Sequence, residues 1–303
     1  MKHRNGGGLL TFSASEVDWG LALFSRPIRE NTDIRHKHNA VSDSTFERKS
    51  MSDEPRNTSR IILALDVDNT HAAREILTEV REQILWAKLG LELINAQKAH
   101  EVASMAHQLG YKVFWDGKLK DIPRTIGAAT KAAEKHGVKM INVHASSGVE
   151  GMMAAVANKG DALILAVSVL TSHDTENTEI DFGSSRKAKV LEFARMAAYS
   201  GCDGLICSPK ELDFLARYYQ RKDFPEAQLG KLIKVIPGTR SPGADHQDQR
   251  NVETQEIAIQ NGADWLVIGS EIMKKPQGSK VLAAKALNER IAQALADKAK
   301  GVE

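Results

Sequence analysis

From residue 61 onward, short apolar runs alternate with amphipathic stretches. The runs are 61–65 (IILAL), 85–89 (LWAKL), 112–116 (KVFWD), 139–143 (KMINV), 162–168 (ALILAVS), 204–207 (GLIC), 232–236 (LIKVI) and 265–268 (WLVI). They are aliphatic or β-branched and mostly apolar on both alternating faces, the pattern of parallel strands covered on both sides. Helical periodicity separates them. In 70–84 the apolar positions Ala73, Ile76, Leu77 and Val80 recur at helical spacing, and 95–108, 122–135, 147–157, 187–199, 209–219, 251–261 and 279–297 complete the set. Eight repeats of strand then helix predict an α/β fold of the (β/α)8 TIM-barrel class, whose catalytic groups sit just past the C-terminal ends of the strands. An open doubly wound sheet generally uses fewer strands, and no G-x-G-x-x-G follows the first run.

Residues 1–58 break this pattern. They are polar, charged and aperiodic, which predicts a poorly ordered N-terminal extension ahead of a single barrel domain at 59–303. The one apolar patch there, WGLALF, is too short for a signal-peptide core. Met51 opens MSDEPRNTSRIILALD and reads as a natural start, with the upstream segment as a tail. A formal net charge of +2, with no long one-sign run after residue 60, gives no electrostatic footprint for nucleic acid. No apolar run reaches the roughly 18 residues of a membrane span. Two cysteines, Cys202 and Cys207, make neither a disulfide framework nor a zinc site and read as core thiols in a reducing cytoplasm.

Polar residues collect where the strands should end. The first run leads to Asp66, the second carries Lys88 inside the apolar WAKLGLEL, and the third opens FWDGKLKDIPRT. Asp116 and Lys118 are two apart, so on an extended chain they face one side. Asp121 follows, and Pro123 is placed to open the next helix at its first turn. Two lysines and two aspartates are thus expected to converge on one barrel mouth, each lysine held protonated and each aspartate ionised by mutual attraction. A lysine within an apolar strand beside D-x-K-x-x-D is a stronger pointer to function than any one charge, which alone reads as a solvated or structural ion pair.

Other loops suit an anionic ligand. Gly238, Arg240, Gly243 and Gln249 lie in PGTRSPGADHQDQRN after the seventh strand, and loops after strands seven and eight are the usual phosphate site of this fold. Arg240 has the geometry for a bidentate phosphate contact; the competing reading is a surface loop. The segment 171–186 reads as a long loop over the active face, a lid by length. Thr171 and Ser172 at its root either bond a base edge or cap local backbone. His144 reads as structural, His71, His100, His107 and His136 as surface, and Trp86, Trp115 and Trp265 as core. No H-x-H, H-E-x-x-H or carboxylate cluster argues for a metal.

The segment DGKLKDIPRT resembles the D-x-K-x-x-D-I-P-x-T signature of orotidine 5′-phosphate decarboxylases. The likeness runs along residues 61–269 through ALDVD, AKLGLEL, INVHAS, SVLTS, GLICSPKEL and PGTR…DQR in order. The resemblance implies a cofactor-independent carboxy-lyase, with no metal, that converts orotidine 5′-monophosphate to uridine 5′-monophosphate, the last step of de novo pyrimidine nucleotide synthesis, in the cytoplasm. It implies that Asp66 and Lys88 hold the ribose, Asp116 faces the substrate carboxylate, and Lys118 protonates C6. It further implies a homodimer in which Asp121 and Thr125 enter the neighbouring site. Thr171 would contact the nucleotide, Ser172 the pyrimidine, and Arg240 and Gln249 the phosphate.

One position departs: where the family generally places Gly-Arg after the eighth strand, this chain has Gly269-Ser270. The backbone N–H groups remain, but a charge-assisted phosphate contact worth about 1.5–3 kcal/mol is absent, with Arg240, Lys274 and Lys275 as candidate substitutes. Two rival readings stand beside this one. Magnesium-dependent sugar-phosphate enzymes of the same barrel group share D-x-K-x-x-D, although DIPRT and PGTR…DQR point away from them. The other rival is a nucleotide-binding barrel without catalysis.

Overall fold

The computed structural model describes residues 58–219, 231–241 and 253–301. Eight parallel strands close a barrel in sequential order: β1 (Ile61–Leu65), β2 (Trp86–Leu89), β3 (Lys112–Leu119), β4 (Met140–His144), β5 (Leu163–Val167), β6 (Gly204–Ile206), β7 (Ile233–Ile236) and β8 (Trp265–Ile268). β8 pairs back onto β1 through Ile61, Ile62 and Leu63. The outer layer holds α1 (Thr70–Val80), α2 (Leu91–Asn95), α3 (Ala99–Gln108), α4 (Pro123–Glu134), α5 (Gly148–Ala157), α6 (Thr175–Phe182), α7 (Arg186–Tyr199), α8 (Leu212–Tyr219), α9 (Gln255–Gln260), α10 (Ser270–Met273) and α11 (Lys280–Ala299). The (β/α)8 expectation is met.

Alternation of side chains along each strand sorts the core into two parts. Ile62, Trp86, Phe114, Met140, Leu165, Val235 and Trp265 point inward and form one cluster inside the barrel. Their neighbours Leu63, Ala87, Val113, Ile141 and Ile164 point outward under the helices and join the larger cluster. Trp86 and Trp265 meet edge to face at 5.6 Å, and each large side chain so buried stabilises the fold by roughly 1.5–3 kcal/mol. One step further along the same inward face the residues change character: Trp86 is followed by Lys88, Phe114 by Asp116, and Met140 by Asn142. The barrel therefore has an apolar floor with polar groups directly above it.

The helices begin where the sequence supplies caps. Asn69 accepts the Ala72 N–H at 2.8 Å to start α1, whose predicted stripe Ala73, Ile76, Leu77 and Val80 is buried. Pro123 occupies the first turn of α4. Two expectations need correction. The predicted loop 171–186 contains α6, started by the Asp174 side chain on the Asn177 N–H and ended by Gly183 at φ 65°. Only Thr178 of α6 is buried, so no apolar stripe advertised it. The predicted helix 95–108 begins only at Ala99, as α3, because Gln97 takes the left-handed region, φ 58°, after the short α2 that the sequence reading did not include. No helix among the described residues is long and apolar enough to cross a membrane.

Candidate active site

A cavity of about 410 Å³ opens at the C-terminal ends of the strands. Its lining includes Asp66, Lys88, Asp116, Lys118 and Asn142 on one side, Thr171 and Ser172 on another, and Gly238, Arg240, Gly269 and Ser270 on the third. Thus ten of the residues singled out in the sequence share one pocket.

On the β1–β4 side the charges form an alternating row. The Lys88 ammonium lies 2.9 Å from one Asp116 oxygen and 3.5 Å from Asp66. The Lys118 ammonium donates to the other Asp116 oxygen at 2.7 Å. Asp116 and Lys88 side chains are 7% and 10% exposed, whereas Lys118 at 33% reaches into the cavity. Burial alone would neutralise both inner groups. It opposes the Asp116 charge, yet Lys88 and Lys118 outweigh it and hold the carboxyl below its ordinary range. Burial likewise works against protonated Lys88, yet Asp116 and Asp66 hold its pKa above the usual lysine value. Asp116 and Lys88 are therefore both charged at neutral pH. Gly90 gives it room, since a Cβ there would stand 3.1 Å from the Lys88 nitrogen.

Asn142 completes this side and escaped the sequence reading. It is almost fully buried, donates to Asp116 at 2.6 Å and accepts the Lys118 backbone N–H at 2.7 Å. That second bond fixes an unusual backbone: Lys118 has φ 46°, and the β3–β4 register shifts between Trp115 and Leu119. Lys118 and Asp116 do converge, but through a bulge rather than the regular alternation expected of them. The available signal was Asn142 two residues after inward-facing Met140.

Asp121 and Thr125 do not join the row. Asp121 is exposed, and its carboxylate accepts the Ile122 N–H at 2.6 Å. The expectation of two aspartates on one mouth is thus corrected within a single chain: the turn into α4 carries Asp121 away, and Asp66 supplies the second carboxylate. His144, at the end of β4, is pushed down to about pKa 4 by burial and by Lys120 and Lys118, so it is neutral at pH 7. Cys202 and Cys207 are free and buried, with thiol pKa values raised by burial.

The loop after β5 is tied from beneath. Arg186, 8% exposed, donates to the carbonyls of Leu170 and His173 at 3.1 and 2.8 Å and pairs with buried Glu211 at 2.7 Å. Thr171 and Ser172 lie between those carbonyls. Across the cavity, Arg240 donates to the Thr239 carbonyl at 2.8 Å, and its buried Nε has no hydrogen-bond partner among the described residues. Lys274 and Lys275 are exposed and not part of the cavity wall. Gln249 and Gly243 lie outside the described residues.

The model of the orotidine 5′-phosphate decarboxylase / HUMPS family matches residues 59–287, from before β1 into α11. The chain belongs to this family. Among its relatives, the orotidine 5′-phosphate decarboxylase of Haemophilus ducreyi is 36% identical over 240 residues, 77% of this chain and 99% of that protein. That of Pseudoalteromonas translucida is 36% identical over 233 residues, 75% of this chain and 95% of the relative. The crystal structure of the Lactobacillus acidophilus orotidine 5′-phosphate decarboxylase superposes with a TM-score of 0.62 at 27% identity, covering 76% of this chain and 98% of the other. The family match contains the whole barrel and every candidate residue named above, including the departing Ser270.

Proposed function

We propose that the chain decarboxylates orotidine 5′-monophosphate to uridine 5′-monophosphate and CO2, the last step of de novo pyrimidine nucleotide synthesis, without a cofactor. The observation that carries this reading is the row Asp66–Lys88–Asp116–Lys118 above an apolar floor. Breaking the C6–carboxylate bond leaves an electron pair on C6 that the pyrimidine ring cannot delocalise. A fixed ammonium beside C6 stabilises that pair and then gives it a proton, after which the neutral amine recovers a proton from solvent. Lys118 is the row's cavity-facing ammonium. Asp116 holds it in place through the 2.7 Å bond and, next to the substrate carboxylate, disfavours the bound ground state.

The other roles follow from position. Asp66 and Lys88 hold the ribose hydroxyls. Thr171 contacts the nucleotide and Ser172 the pyrimidine. Arg240, with the unpartnered Nε, takes the phosphate together with Gln249 and the N–H groups of Gly269 and Ser270. Phosphate binding remote from C6 supplies energy for assembling the reactive end. Exposed Asp121 and half-buried Thr125 serve the neighbouring site of a homodimer; Ile122 between them, 58% exposed, supports a contact there. The working compartment is the cytoplasm.

The test mixes the full-length protein with orotidine 5′-monophosphate in EDTA and follows loss of orotate absorbance. Turnover that disappears in a folded Lys118→Ala variant is expected. Turnover only on magnesium addition, with a sugar phosphate, would replace this reading by the other branch of the barrel group, and uridine 5′-monophosphate binding without turnover would leave a non-catalytic barrel. Sedimentation checks the dimer: Lys118→Ala and Asp121→Ala chains, each inactive alone, should regain activity when hybrid dimers form.

A further inference from the structure

The phosphate end of the cavity stands on a polar network that reaches outside the family match. Glu271 follows Ser270 on α10. One of its oxygens accepts the Ser241 N–H at 3.1 Å and the Gln255 side-chain amide at 2.9 Å, and the other accepts the Ser241 hydroxyl. Arg290 on α11, three residues past the end of the family match, backs the same groups. It donates to the Ser241 hydroxyl at 2.8 Å, to the Gln255 side-chain carbonyl at 3.3 Å and to Glu256 at 2.5 Å. The chain Arg290 to Ser241 to Glu271 is directional, each donor serving the next acceptor, and such chains stiffen cooperatively. Gln255 is fully buried. Burial opposes the Glu256 charge, but the Arg290 bond outweighs it and keeps that carboxyl below its usual range.

Arg240 sits immediately before Ser241. Its own N–H is bonded to the Glu253 carbonyl at 2.9 Å, two residues from Gln255. The network therefore grips the backbone on both sides of the arginine that borders the cavity, yet no network residue other than Arg240's neighbours need touch a ligand. We infer that Glu271 and Arg290 are positioning residues for the 5′-phosphate end: they hold Arg240 at a fixed place, where the family resemblance leads one to expect an arginine and this chain has Ser270. The inference rests on the decarboxylase reading and adds to it a division of labour between one phosphate-facing arginine and a buttress behind it.

The two effects of Glu271 have opposite signs, which makes the idea testable. As a carboxylate near a bound phosphate it repels, so by Coulomb's law alone Glu271→Gln tightens uridine 5′-monophosphate. As a buttress glutamine replaces it poorly: the Ser241 hydroxyl, which donates to the carboxylate, would have to turn and accept from the new amide, and the charge-assisted bonds would become neutral ones. Calorimetric titration of the full-length protein with uridine 5′-monophosphate and with uridine separates these. Glu271→Gln and Arg290→Met are each expected to weaken the nucleotide about 10-fold, with uridine changed less than about 2-fold. Arg290→Lys, which keeps one contact of three, should fall between. The KM for orotidine 5′-monophosphate should rise more than kcat falls. Should Glu271→Gln not fold, Arg290→Met on the outer helix carries the same comparison. Nucleotide binding unchanged or tighter in these variants, or equal losses for nucleotide and nucleoside, overturns the inference. Absence of nucleotide binding in the unsubstituted protein instead overturns the decarboxylase reading beneath it.

Discussion

The two ends of the cavity are built on different principles. At the β1–β4 end Asp116 is fixed by two ammonium groups and an amide, all within 2.9 Å, with Asp116, Lys88 and Asn142 nearly excluded from solvent. Every member is charged or bonded to a charge, and removing any one leaves another buried group uncompensated. At the β7–β8 end a single arginine borders the cavity, and it is steadied from behind by side chains of three helices and a loop. The first arrangement tolerates almost no displacement, because the proposed reaction puts the breaking bond there and an error of about 1 Å is costly. The second needs only to hold a dianionic group with three equivalent oxygens, which several donor sets satisfy. The departure from the family pattern, Ser270, falls at the tolerant end.

This contrast can be broken from either side. The largest effect is expected for Lys118→Ala, where both charge stabilisation and the proton donor are lost: kcat should drop at least about 10⁴-fold, while the chain still folds with a melting midpoint lowered by the loss of one of the two cations on buried Asp116. Asp116→Asn should act on stability as well as rate. It strands two ammonium groups, costs about 3–5 kcal/mol, and should show in urea denaturation. Retention of wild-type stability would mean the row is far less coupled than its geometry indicates. Asn142→Ala removes one bond to a charged partner and one to the backbone, for about 10–100-fold in kcat. Because a donor to ionised Asp116 is lost, the acid limb of the pH–rate profile should move upward, and an unmoved limb would confine Asn142 to packing. Ser270→Arg restores the family's cation and should tighten uridine 5′-monophosphate about 10-fold with little change in kcat.

The smallest effect concerns pH and stability. The lowered Asp116 value stabilises the fold above the unfolded carboxyl range near 3.9 and is lost as pH falls through the folded value. The raised Lys88 value stabilises below about 10.4 and is lost as pH rises through its folded value. Neither window touches neutrality. His144 does: held neutral down to about pH 4, it costs nothing above about 6.5, and its contribution declines as pH falls between those values. His144→Asn should flatten that slope in urea denaturation at pH 7 and pH 5.

The barrel was legible because each strand announces itself by a short apolar run and each major helix by its spacing. The boundaries of β1 and β8 agree with the sequence reading to the residue. What escaped has specific causes. α6 is marked only by its caps, Asp174 and Gly183, since it buries too little to show a stripe. Asn142 sits in an apolar strand and resembles an ordinary core polar residue until the bulge at Lys118 gives it two partners. The Ser241–Glu271–Arg290 network joins residues up to 49 apart in sequence, and no local pattern encodes such a meeting. Asp121 falls outside the row because β3 ends at Leu119 and the chain turns there towards the helix that starts at Pro123, a turn that the D-x-K-x-x-D spacing does not reveal.

The left-handed backbone at Lys118 has one more consequence. Its amide proton is shielded by a side-chain oxygen of Asn142, not by a neighbouring strand. Hydrogen exchange at this one amide therefore follows the integrity of the reactive geometry instead of the opening of the sheet. In a deuterium-exchange or nuclear magnetic resonance experiment it is a built-in gauge, slow when Asp116, Asn142 and Lys118 are in register and fast when any of them slips, readable without substrate and without turnover.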